Sequence, residues 1–206
     1  SEATRTMIRY SFRRLGLIAA AGCIAAVIGV LGVTRPVDLW LVEKRMELAP
    51  RVAGGEVVFV GIDKRSIDAV GTWPWPRERH AEIIRGLGDL GVAEIYFDIE
   101  FGTESNAESD EALARAIADS PVPVVLPVLA QDADVAADAL RIEESWPIAL
   151  LRDHAWLATV NVVRDTDGLI RSFPYGQQVG TEDLLSMPAM MAGVPGPVGS
   201  RFMIDF

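Results

Sequence analysis

Long apolar runs and the polar punctuation between them organise this chain. Leu15–Val33 carries neither charge nor proline, and about 20 such residues cross a bilayer as a helix. A connector over 34–56 follows. In it Val37, Leu39, Trp40, Leu41, Val42, Met46 and Leu48 are spaced loosely like an amphipathic helix, which Pro50 and Gly54-Gly55 end. Val57–Ile62 is continuous, β-branched and apolar, the pattern of a buried strand, and Asp63 closes it. Glu78–Leu90 puts Ile83, Ile84, Leu87 and Leu90 on one helical face, with Gly91 as its cap. Val92–Phe97 reads as the next buried strand, ending at Asp98. Ser109 is expected to cap a helix over Asp110–Ala118 whose inner face is Ala112, Leu113, Ala116 and Ile117. Pro121–Leu129 reads as a third strand, which Pro121, Pro123 and Pro127 confine to an edge or a short length. Residues 57–129 thus spell strand–helix–strand–helix–strand, which predicts parallel strands joined by right-handed crossovers.

The second half changes character. Gln131–Glu144 is acidic and alanine-rich, an exposed helix or an insertion. Ala155–Val163 and Leu169–Tyr175 read as strands around the turn sequence Asp165-Thr166-Asp167-Gly168, a hairpin signal. A short helix is predicted over Asp183–Met191, and a final strand over Arg201–Phe206 after the break at Pro195-Gly196-Pro197. The expected fold class is α/β: a mixed sheet with a parallel strand–helix–strand–helix–strand core and an antiparallel hairpin, preceded by one transmembrane helix. The expected division is a cytoplasmic segment 1–14, a membrane helix 15–33, the connector 34–56 and an extracytoplasmic domain 57–206. The chain starts on Ser1, with Met7 as a natural start, and ends in the apolar run Phe202–Phe206. A fragment of a longer protein, cut at the C-terminal side, is expected.

Charge sets the orientation. Arg5, Arg9, Arg13 and Arg14 precede the apolar segment, so the positive-inside rule places the N-terminus in the cytoplasm and the rest outside the inner membrane of a bacterium. A signal peptide, or a lipoprotein box at Ala20–Cys23, competes with the anchor. About ten apolar residues past Cys23 favour the uncleaved anchor. The net charge is −10, and residues 1–36 hold five Arg against one Glu, so the remainder carries about −14. That acidity argues against nucleic acid and against a polybasic lipid surface. The single cysteine, Cys23, excludes a disulfide or a cysteine zinc site within one copy.

The densest chemistry is Gly71-Thr72-Trp73-Pro74-Trp75-Pro76-Arg77. Each proline fixes its own φ and pushes the tryptophan before it toward an extended backbone, and the last stands where a helix can start. This stiff strap is either a stacking surface for a ligand or a hydrophobic cover over the sheet end, with Arg77 pinning a carboxylate. Asp63 and Asp98 each follow a predicted parallel strand, where open α/β sheets bind ligands. With Glu100 they form a candidate cation, polar-ligand or acid–base site, or else they satisfy nearby N–H groups. The ligand-binding candidates are Asp63, Trp73, Trp75, Arg77, Asp98 and Glu100. His80 falls in the first turn of the helix after the strap and is expected to be partly exposed, and His154 has no companion. Asp165-x-Asp167-Gly168 lacks the further ligands of a calcium loop. No phosphate loop, nucleophile elbow or zinc-helix motif occurs, so no catalytic residue, metal or cofactor is expected.

Several of these stretches together resemble a known family: Val60-Gly61-Ile62-Asp63, the strap through Arg77, Phe97-Asp98-Ile99-Glu100-Phe101, Asp110-Glu111-Ala112-Leu113-Ala114, Val160-Asn161, and Asp165–Ile170 with Arg171. They resemble the type-two CHASE domain over roughly Val37 to the C-terminus. The resemblance implies an extracytoplasmic sensory module behind one membrane helix, with no enzymatic activity in this segment. It implies a cytoplasmic output, a nucleotide cyclase (adenylate cyclase among them), a histidine kinase, a Ser/Thr kinase or a diguanylate cyclase, absent from this chain. The implied partner is an extracytoplasmic signal or protein, and a homodimer is the default for a single anchor. Two other readings stand beside it: a structural dimerisation module, and a tethered metal-dependent hydrolase using Asp63 and Asp98.

Overall fold

The computed structural model describes residues 35–49, 54–132, 142–165 and 168–204, with Gly22, Val27 and Gly29 as isolated positions. The chain divides into two compact units, Ser1–Val58 with Asp205–Phe206, and Phe59–Ile204. In the first, helix α1 (Arg35–Leu48) falls within the span 34–56, with Val37, Trp40, Leu41 and Leu48 exposed, and Lys44 pairs with Glu47 at 2.5 Å on it. The membrane span expected over 15–33 lies outside the described residues except at those three positions. Among the described residues no helix is long and apolar enough to cross a membrane.

The second unit is a mixed α/β structure with parallel and antiparallel strands. Helix α2 (Lys64–Val70) is not carried by hydrophobic periodicity. It forms because Asp63 caps it and Gly71, at φ 84°, closes it by donating to the Ile67 carbonyl. Helix α3 (Arg77–Asp89) leads to strand β1 (Ile95–Tyr96), and α4 (Ala107–Ala118) leads to β2 (Val124–Asp132). Strands β1 and β2 are parallel, with Ile95 opposite Val124. Strand β4 (Trp156–Thr159), preceded by the single turn α5 (Ala149–Arg152), runs parallel to β2 on its other side, with Val125 opposite Trp156. Strand β3 (Ile142–Ser145) is antiparallel to the end of β2.

The first expected strand is a correction: among the described residues 57–62 has no strand partner, and Val57, Val58, Phe59 and Val60 are exposed. The pattern reports what a segment can bury, and among the described residues no sheet edge covers it. The edge position expected of the strand after Pro121 is also corrected, because β2 is the central strand. Phe97 donates its N–H to the Val125 carbonyl, so by the two-residue period Pro127 also points to the β1 side. There it lies past the last β1 residue and before β3 begins at Leu129. A parallel ladder would next place a residue-127 N–H on the Phe97 carbonyl, so the proline ends the β1 pairing here, before β3 takes over at Leu129.

Beyond β4 the chain forms β5 (Ser172–Pro174), β6 (Gly176–Val179), β7 (Glu182–Leu185), α6 (Met187–Met191) and β8 (Arg201–Met203). The tight antiparallel hairpin is β6–β7, and β5 pairs antiparallel with β8. Gly176 lies so close to the Leu184 carbonyl that a Cβ would sit 2.5 Å from it. The helix expected over Asp183–Met191 is shorter than its apolar spacing suggested. Its first residues form β7, and Ser186 caps α6 through the Ala189 N–H, with Pro188 in the first turn.

Both faces of β2 are covered, which explains its unbroken apolar run. Leu126 packs with Ile84, Leu113, Leu151, Ile95, Phe97 and Phe101 under α3 and α4. Val125 packs with Ala158 and Met187 on the opposite face. Past Thr159, Asn161 extends the β4 side of the ladder: its amide accepts from the Ala130 N–H at 3.1 Å and donates to the Ala130 carbonyl at 2.7 Å. It also donates to Gln177 of β6 at 2.6 Å.

Candidate functional site

Helices α3 and α4 lead into the parallel neighbours β1 and β2, so both begin at the same end of the sheet and their N-termini lie side by side. The strap enters α3 there. Pro76 occupies the position before its first turn and Arg77 is its first residue. Arg77 turns inward and is buried, pairing with Asp110 of α4 at 2.5 Å. Its other terminal nitrogen donates to the Thr103 carbonyl, and its guanidinium stands 5.6 Å from the Phe101 ring. Asp110 also accepts from the Ser105 N–H at 3.0 Å, so one carboxylate holds the strap, the 103–105 loop and α4 together. The cap of α4 is Asn106, whose side chain accepts from the Ser109 N–H at 2.9 Å, while the Ser109 hydroxyl donates to Glu78 of α3. That donation holds the Glu78 carboxyl below the usual carboxylate range.

An aromatic series runs inward from the strap. Trp73 is exposed and meets half-buried Trp75 edge to face at 6.3 Å. Trp75 lies 6.1 Å from His80, and His80 lies 6.0 Å from Phe97 and 5.4 Å from Phe101, edge to face with both. The peptide bond between Trp73 and Pro74 is cis. His80 is only 3% exposed, against the expectation of a partly exposed histidine, because α3 turns this side of its first two turns onto the sheet end. Neither Trp75 Nε1 nor His80 Nδ1 meets a hydrogen-bond partner among the described residues.

Burial, then the nearby Arg77 charge, holds the His80 pKa below the ordinary imidazole value. The unfolded chain therefore binds this proton first as pH falls. Stability is full above the unfolded value of about 6.5 and declines below it until the folded imidazole also protonates. The groups facing His80 are Arg77, neutralised by Asp110, and the aromatic rings. Glu78, one turn away, titrates in a lower window. Thermal melts between pH 7.5 and 5.5 are expected to show a falling midpoint that His80→Gln flattens; parallel profiles for the two proteins would show that His80 does not carry it.

The remaining candidates separate. Asp63 caps α2, accepting from the Ser66 N–H at 2.8 Å and its hydroxyl at 2.7 Å, and these bonds hold its carboxyl below the usual range. Asp98 is exposed just past β1, and Glu100 accepts from the Ser145 hydroxyl. No group of three or more His, Cys, Asp or Glu gathers to hold a metal among the described residues. The expected carboxylate pinned by Arg77 is present; what the sequence reading missed is its identity, Asp110, and Phe97 and Phe101 as the floor under the strap. The signal was available, since parallel crossovers bring successive helix N-termini together and opposite charges stand at these two.

A family model described as CHASE2 domain matches residues 19–195. No curated protein and no solved structure matches the chain.

Proposed function

The chain belongs to the CHASE2 domain family of extracytoplasmic sensory modules, and on that premise we propose that it is the signal-sensing input domain of a membrane-bound bacterial receptor. Its N-terminus lies in the cytoplasm, residues 15–33 anchor it in the inner membrane, and the sensor stands outside. The output it controls is a cytoplasmic nucleotide cyclase or kinase. The observation that carries this reading is the family match, which runs from within the apolar segment through the strap and across the whole sheet. Among the candidates, exposed Trp73 and Asp98, with Glu100 two residues past Asp98, are the groups a signal meets. Arg77, Trp75 and Asp63 form the frame, because their polar or aromatic surfaces are already engaged within the fold.

A ligand shifts a receptor only by its differential affinity for two states. In the receptor that carries this segment, Asp98→Asn is expected to change the response by several-fold with expression and melting temperature unchanged, since Asp98 is exposed. Wild-type signalling in a stably folded Asp98→Asn protein would remove Asp98 from the signal site. The location is tested separately with alkaline phosphatase fused after Phe206, which is active only outside the cytoplasm. An inactive phosphatase fusion on an expressed protein would overturn the placement.

A further inference from the structure

Phe59–Ile62 and the outer edge of β1 are complementary halves of a ladder that is not closed among the described residues. Phe59 is 91% exposed and Val60 60%, and Val57 and Val58 before them are exposed too. Consecutive β-branched and aromatic residues of this kind fit a pleated, half-buried surface. Strand β1 ends its sheet. Ile95 and Phe97 donate their N–H groups to Pro123 and Val125, so the N–H and carbonyl of Tyr96, between them, point away from β2. The edge Glu94-Ile95-Tyr96-Phe97 carries neither Lys nor Pro, and Glu94 is its one charge.

We propose that Phe59–Ile62 of one copy pairs as a parallel strand with the β1 edge of a second copy, reciprocally, in a strand-exchanged dimer. The link from this run to β1 passes through α2, the strap and α3, the strand–helix–strand connection that goes with parallel pairing. A reciprocal exchange about a two-fold axis uses both free edges and leaves none to propagate. Covering the run and the edge twice removes on the order of 1,000 Å² or more of mostly apolar surface, the lower range of specific interfaces. This inference stands apart from the sensory reading.

The test uses the full chain in detergent, with mass measured by light scattering after size exclusion. A dimer is expected at tens of micromolar, and the double substitution Val58→Asp with Val60→Asp is expected to give a monomer with an unchanged far-ultraviolet CD spectrum. A wild-type monomer, or a dimer that survives the double substitution, overturns the proposal. A second variant does not rely on losing the dimer: Val60→Cys with Tyr96→Cys in a Cys23→Ser background. Oxidation is expected to give a covalent dimer on a non-reducing gel. A monomer, whether internally bridged or not cross-linked, shows that the run does not reach a neighbour and overturns the exchange.

Discussion

Asp110→Ala is expected to lower folding stability by about 3–5 kcal/mol, the loss seen when one member of a buried ion pair is removed. Less than a tenth of either the Arg77 or the Asp110 side chain is exposed, and their closest approach is 2.5 Å. Without the carboxylate, the guanidinium stays buried with one carbonyl and one aromatic face as company. The Ser105 N–H loses its acceptor in the same step. Asp110→Asn keeps an acceptor for that N–H and loses the charge, so it falls between alanine and wild type. The double substitution Arg77→Met with Asp110→Leu is expected to cost much less than the two singles summed, since no buried charge is left. Equilibrium urea unfolding of wild type, Asp110→Ala, Asp110→Asn, Arg77→Met, Asp110→Leu and the double variant measures this. A loss under 1 kcal/mol for Asp110→Ala would mean that water reaches the guanidinium and the strap is not pinned.

Leu126→Ala carries the second large effect, a loss of about 2–5 kcal/mol, because deleting a core leucine removes its burial and leaves a cavity. Leu126 has no exposed surface and packs among Ile84, Leu113 and Leu151. It belongs to the central strand, with β1 and β4 hydrogen-bonded on either side, so the backbone cannot move inward to fill the space. Leu90, at the end of α3, is 80% exposed, and Leu90→Ala is expected to stay within about 0.5 kcal/mol. Equal losses for the two leucines in urea would contradict this placement of the core.

Some of this was legible in the sequence and some was not, for physical reasons. The helices over 77–89 and 107–118 and the parallel pair β1–β2 follow from periodicity and alternation alone. Their ends are less faithful to pattern. Asn106 rather than Ser109 caps α4, because both residues are good caps and only the loop geometry chooses between them. Pro127 argued for an edge, but in the central strand its missing N–H ends the pairing with β1 and the neighbour changes there. The run 57–62 has the composition of a buried strand, yet composition does not say which edge, in which copy, receives it. At the candidate site, the strap's rigidity was visible in its prolines. The burial of His80 was not, because a lone polar residue on a helix gives no sign of which side the sheet will cover. Asn161 stood in the sequence only as part of a familiar pair of residues. Its amide, shaped like a peptide group, takes the place of one more residue of β4.

The change of neighbour at Pro127 divides β2 into two halves that need not open together. Upstream, Val124–Val128 is held by β1 and β4 over the main apolar cluster. Downstream, Leu129–Asp132 is held by β3 and the Asn161 amide. No hydrogen bond on the β1 side crosses the proline, so peeling β3 away breaks nothing in the upstream half. A single strand thus serves two separately breathing regions. Fluctuations of the β3 segment end at one residue rather than running on into the sheet beneath the strap.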